Sequence, residues 1–415
     1  MHTSKVTSFF KSIQPSLYYV LAALFLLFEM GVQSSPGVMA TGIMQDLQLS
    51  AGRFGLAMGC YFFSYTLMQI PVGLLFDRYP ARRLLLLAVL ICSVGVYFFA
   101  FGQGVGLLAL ARFFAGFGSA FAFVGVLVIA NQWFSARHFA LLVGIAQWVA
   151  AVGAMAGLMP LAYWVRLYGW RQAALLLAMI GAVLLVLILL FMRNKPVSQQ
   201  APRAPRAMAS LRNVLGNRQT YWIGIYAFTA WMPMVVFAEL WGVPYLSVRQ
   251  HLSNEVSAQL CSLIWVGLAV MSPILGYVSD RRRHRQRYMV ACSVMGLLSA
   301  LWLLYTPAAA SAQLVVMMLL IGGAAAGQIL CFALIRDYFP ERDLAVAIGL
   351  INMAVVVTGA LFQPLVSALL QWHAGASASH GLSTLSQADF VFALSVIPVC
   401  YVIGLVVSVA GLRDA

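Results

Sequence analysis

Apolar residues run along this chain in long blocks, separated by charged or turn-forming residues. A helix needs roughly 20 apolar residues to cross a bilayer. The blocks predict twelve such helices: 17–43, 53–76, 84–101, 106–134, 138–165, 172–192, 220–248, 256–279, 287–306, 311–336, 344–371 and 388–411. The first block lacks a small-residue cleavage site and carries Glu29 in its middle, so it reads as a retained span rather than a signal peptide. The expected fold class is all-α, a polytopic membrane protein. The longest polar stretch, 193–219, is rich in Pro, Ala and Arg and has little apolar periodicity. It reads as a linker between two six-helix halves, 1–192 and 220–415.

Composition narrows the functional classes. The 415 residues are 63% hydrophobic and 9% charged, with a mean hydropathy of +0.92. A soluble domain is about 45–50% apolar and about 25% charged. A water-soluble enzyme, a disordered chain and a nucleic-acid-binding domain are therefore disfavoured. No Gly-Lys dipeptide is present, so there is no P-loop for ATP. Uphill work must draw on another subunit or an ion gradient. The six cysteines lie in apolar runs without a C-x-x-C pair and read as packing residues. The six histidines fall in predicted loops without metal-binding spacing, so neither a metal nor another cofactor is expected.

The formal charge of +14 is a topology signal. With the N-terminus in the cytoplasm, 20 of the 25 Lys and Arg residues fall on the cytoplasmic side. Arg53, Arg166, Arg171 and Arg249 fall on the other side, and Arg112 lies inside a span. The asymmetry follows the positive-inside rule and places both termini in the cytoplasm.

The halves repeat. Gly73, Asp77 and Arg78 close the second span, and Gly276, Asp280 and Arg281 close the eighth. A second match pairs Trp133 with Tyr338, Phe134 with Phe339, Arg137 with Arg342, Ala140 with Ala345 and Gly144 with Gly349. Six-span units in the same orientation form a parallel repeat, and in such folds the solute lies between the halves near the midplane.

With these motifs the chain resembles the major facilitator superfamily over nearly its whole length. Gly73–Arg83 is similar to the family's loop motif G-x-L-a-D-R-x-G-R-R, with Asp77, Arg78, Arg82 and Arg83 matching and Pro80 in place of Gly. RFFAGFGSA at 112–120 matches the fourth-helix motif R-x-x-x-G-x-G-x-A. The fifth span has Gly153, Gly157 and Pro160 but no Gly-Pro dipeptide of the drug-antiporter type. The resemblance implies twelve helices in two halves and alternating access. It also implies a conformational latch at Gly73, Asp77, Arg78, Arg82 and Arg83, copied at Asp280 and Arg281.

Charges within spans carry the mechanistic expectations. Glu29 lies about 18 Å along the first span at 1.5 Å per residue, near mid-membrane. A carboxylate there is costly, which makes it a candidate for proton coupling. Gln33 and Pro36 follow at successive turns of the same face. Arg112 needs a carboxylate, backbone carbonyls or an anionic solute. Glu239, after Pro233 in the seventh span, is a second proton-coupling candidate. Tyr61, Tyr65, Gln147, Trp148, Gln328 and Asn352, with Arg112 and Gln33, are candidate solute-binding residues. For each of these, interhelical packing is the alternative.

The resulting expectation is a proton-coupled importer of a small polar or anionic metabolite. It would work as a monomer in a bacterial inner membrane, with the solute, protons and lipid as its partners and no nucleic acid. A proton-coupled drug or metabolite exporter of the same fold is the alternative. A membrane enzyme or sensor is disfavoured, because no catalytic constellation or output domain appears.

Overall fold

The computed structural model describes residues 2–193, 204–282, 284–306, 311–375 and 385–414. Among these residues every regular element is helical. This follows from the solvent, because lipid offers no partner for backbone N–H and C=O groups and a helix satisfies them internally. Eleven helical stretches are long and apolar enough to span a membrane. One of them, Leu141–Phe191, has 51 residues. At 1.5 Å per residue that is about 75 Å, enough for two crossings. The chain turns inside it at Gly169, whose φ of 79° is open to glycine without strain. The stretches thus make twelve crossings, in agreement with the apolar blocks.

The first crossing is His2–Ser34 continued by Pro36–Asp46, and the second is Ala51–Arg78. The fourth is Val105–Ser119 followed by Phe121–Trp133, and the tenth is Ser311–Ala325 followed by Gln328–Tyr338. These two break at equivalent points of the repeat. The seventh passes from Arg218–Pro233 through a π-helical segment, Met234–Trp241, into Gly242–Gln250. The eleventh is the long helix Glu341–Ala374.

Because successive spans alternate in direction, the linker and both latch motifs lie at one end of the bundle, here called the basic end. The linker is more ordered than its composition suggests. Ala204–Gly216 is helical, with Ser210 and Val214 buried one turn apart. Asn217 then caps the start of the seventh span by accepting from the Gln219 N–H. One narrow face is enough to dock this segment, although most of its residues are polar, small or charged.

At the far end the two halves are tightly joined. Gln371 accepts from the Ser50 hydroxyl at 2.9 Å and from the Gly52 N–H at 3.1 Å. Arg166 pairs with Glu255 at 2.9 Å, and Asn254 donates to the Val38 carbonyl at 3.0 Å. The second and eleventh spans run antiparallel in close contact. Gly52 lies against Gln371, Gly55 against Ser367, Gly59 against Pro364, and Phe62 against Gly359. Further along, Asn352 donates to Gln69 at 2.6 Å. The same register carries Gly73 opposite Ile348 and Gly349, yet nothing lies within 4 Å of where a Cβ would stand on Gly73 or Gly349. Gly144 and Gly276 are equally open. The halves are sealed at the far end and splay apart toward the basic end.

Candidate functional site

The first span supplies the framework of the site. A proline ring lacks the N–H that would bond the carbonyl four residues earlier, and it crowds that carbonyl. Pro36 therefore orphans the Val32 carbonyl and breaks the helix at Ser35. Two donors replace the missing one: the Ser35 hydroxyl at 3.0 Å and Arg112 Nη1, from the fourth span, at 3.0 Å. Arg112 is 3% exposed, and its guanidinium carbon stands 4.3 Å from the centre of the Tyr61 ring. Among the described residues its Nε and Nη2 have no hydrogen-bond partner. These two nitrogens form the side-on edge of the guanidinium, the edge that fits a carboxylate with two parallel hydrogen bonds.

Two carboxyl groups complete the cluster. Glu29 Oε1 accepts from the Tyr61 hydroxyl at 2.9 Å, and Glu239 Oε1 accepts from Gln33 Nε2 at 2.8 Å. Each glutamate is 1% exposed, and each has a second oxygen without a partner among the described residues. Tyr61 thus touches both an acid and a base, and Tyr65 lies beside it with ring centres 6.1 Å apart. A small cavity borders Arg112, lined in part by Val32, Ser35, Met39, Phe99 and Leu177. Buried polar atoms are normally paired. A cluster with three free donor or acceptor groups is suited to receive a proton and a polar ligand.

The other expected site residues lie apart. Trp148 is 57% exposed on the outward apolar face with Leu141, Ile145 and Val152, so it does not join the cluster. Gln147 is exposed, whereas Ala151 and Ala154 on the same helix face are buried. That face is covered toward the far end and uncovered toward the basic end. Gln328 is buried in the C-terminal half at the start of its helix. Asn352 is engaged by Gln69.

The basic-end motifs differ between the halves. The Asp77 side chain lies outside the described residues. Arg78 and Arg83 are exposed, while Arg82 donates to the Leu189 carbonyl at 2.7 Å. In the second half Asp280 pairs with Arg285 at 2.9 Å, and Arg285 also pairs with Asp337 at 2.6 Å. Arg281 instead donates to the Tyr277 hydroxyl at 3.2 Å. Asp337 is not legible as a partner in the sequence, because it is distant from Arg285 and meets it only when the ninth and tenth spans pack. Arg249, counted at a loop edge, is 7% exposed. It donates to the carbonyls of Leu303, Leu304 and Thr306. Those carbonyls end the helix Arg285–Tyr305, where a cation meets the negative pole of the helix dipole.

Comparison with known proteins decides the family. The profile of the Major Facilitator Superfamily matches residues 21–363. The chain belongs to this superfamily. The family and the relatives below are transporters, not enzymes. Among relatives, this facilitator is 32% identical over 146 residues to the uncharacterized transporter YybO of Bacillus subtilis, covering 35% of this chain and 34% of that one. It is 25% identical over 277 residues to the hexuronate transporter of the same organism, covering 63% and 64%. Both matches span less than two thirds of the relative's own length. In fold it is similar to a bacterial homologue of the human lysosomal transporter Spinster, solved in an inward-facing, unoccupied conformation. The TM-score is 0.76 at 15% identity, covering 96% of this chain and 97% of that one.

Proposed function

We propose that this facilitator imports a small organic carboxylate together with protons, by alternating access. The observation that carries the reading is the unfilled Nε–Nη2 edge of Arg112, buried at mid-membrane beside two carboxyl groups. A buried cation with free donors needs an anion, and a planar fork with one edge open selects a carboxylate. The likeness to a hexuronate transporter supports this class, since a hexuronate carries one carboxylate and several hydroxyls. Tyr65 and Gln33 would meet such hydroxyls.

Glu29 and Glu239 are the proposed proton carriers, and the proton gradient is the proposed energy source, with no cofactor. A carboxyl group at this depth is costly when charged, so taking up a proton with the solute removes that cost during reorientation. The charge asymmetry supports a cytoplasmic basic end. The arrangement described above is then the inward-open state, with the sealed face toward the outside. In the opposite state the open glycines at 73, 144, 276 and 349 would come into contact, and the Asp77 motif would latch, whereas the Asp280–Arg285 pair is already made. The protein is proposed to act as a monomer in a bacterial inner membrane.

Uptake by proteoliposomes across carboxylates, sugars, nucleosides and amino acids tests the class. Carboxylates should be accumulated when the outside is acidified. Accumulation of neutral solutes alone would reject the reading. Resistance to bulky apolar compounds on expression, without carboxylate uptake, would favour export instead.

A further inference from the structure

The carboxylate reading assigns a role to Arg112 but leaves open what holds its guanidinium in one orientation. Arginine has several rotatable bonds, and a cation with free rotamers binds more weakly than one already aimed. Among the described residues, only one contact with an acceptor fixes this guanidinium: Nη1 on the Val32 carbonyl, at 3.0 Å. That acceptor exists because Pro36 follows four residues later and offers no N–H.

A carbonyl oxygen has two lone pairs. On Val32 both are in use, one by the Ser35 hydroxyl and one by Arg112. A third donor would have to displace one of them.

We infer that Pro36 is a positioning residue for solute recognition. By withholding an N–H it leaves the Val32 carbonyl open to Arg112 Nη1, and this anchor aims the free Nε–Nη2 edge at the solute carboxylate. The anchor need not break on binding, because the anchored nitrogen is not part of the free edge. Ser35 sets the count of donors at the carbonyl. The inference rests on the carboxylate reading and adds to it the device that pre-orients the cation.

The lone-pair count gives a test that a purely structural proline would not satisfy. Pro36→Ala adds an N–H in line with the Val32 carbonyl, so three donors compete for two lone pairs and the anchor weakens. Adding Ser35→Ala removes one competitor and lets Arg112 return. Binding of D-glucuronate, a hexuronate, is measured calorimetrically on the purified full-length protein. The variants are Pro36→Ala, the double variant Ser35→Ala with Pro36→Ala, and Arg112→Gln, each with its melting temperature.

Pro36→Ala should weaken binding about tenfold, the scale of a hydrogen bond to a charged group. Its melting temperature should not fall, since alanine is the better helix residue. The double variant should recover most of the affinity, and Arg112→Gln should lose it. Wild-type affinity in Pro36→Ala, or no recovery in the double variant, overturns the positioning role while the Arg112 reading stands. Unchanged binding in Arg112→Gln, or no binding by the wild type, overturns the carboxylate reading and this inference with it. If Pro36→Ala does not fold, Pro36→Gly supplies the same N–H and is judged by the same outcomes.

Discussion

Gln33 and Glu239 lie 206 positions apart in the chain, and their side chains meet at 2.8 Å across the two halves. One turn beyond Gln33, a Cβ on Gly37 would stand 2.7 Å from the Glu239 carbonyl oxygen, so backbone as well as side chain is in contact here. A candidate proton carrier is therefore part of the seal at the far end. Under the proposed role of Glu239, protonation and gating would be coupled through one residue. Gln33→Ala leaves both carboxyl oxygens of Glu239 buried without a partner, which costs about 1–3 kcal/mol. The melting temperature of the purified variant should drop accordingly. A melting curve identical to wild type would show that the contact contributes nothing to the closed far end.

Arg112→Lys tests the fork. Lysine keeps the charge but presents a point cation without two parallel donors. Carboxylate affinity should fall at least about tenfold, whereas charge alone would preserve it. Equal binding of carboxylates by both proteins, measured by titration calorimetry, would remove the bidentate contact from the account.

Two glycines should respond in opposite ways. A Cβ on Gly116 would stand 2.0 Å from the Tyr61 carbonyl oxygen and 2.6 Å from Ser64 Oγ. Gly116→Ala must push the second and fourth spans apart beneath Tyr61, at a cost of about 1–3 kcal/mol or more. Gly73 has nothing within 4 Å. Gly73→Leu should therefore melt like the wild type, and yet slow transport, because the splayed second and eleventh spans must meet there in the other state. Normal turnover in Gly73→Leu would refute closure at that position.

Tyr61→Phe separates the two neighbours of that ring. The aromatic face under Arg112 remains, so anion affinity should change little. The bond to Glu29 is lost, leaving both of its oxygens without a partner. The pH profile of uptake should shift while the KM for the carboxylate stays near wild type. A KM change without a pH shift would instead make Tyr61 a solute ligand.

Much of this architecture is legible in the sequence. The apolar blocks give twelve crossings, and the motif pairs at a nearly constant offset give the repeat. Glu29, Arg112 and Glu239 stand out because charge in an apolar run is costly. Their partners are not legible, because partner choice is a matter of tertiary contact. Gln33 reaches Glu239 only once the halves pack, and the Val32 carbonyl is backbone, signalled only by a proline four residues on. Trp148 shows the converse. An aromatic at mid-span has the same signature whether it turns inward or toward lipid, and here the helix face turns it outward. Arg249 reads as a loop charge until the ninth span's terminal carbonyls close around it.

The central claim is that a proton moves with a carboxylate through Glu29. It is tested by uptake of D-glucuronate into proteoliposomes under an imposed pH gradient, compared with solute exchange at equal pH. The wild type should accumulate solute against its gradient, and Glu29→Gln should lose that accumulation while still exchanging solute. Gradient-driven accumulation by Glu29→Gln at the wild-type rate would contradict the account.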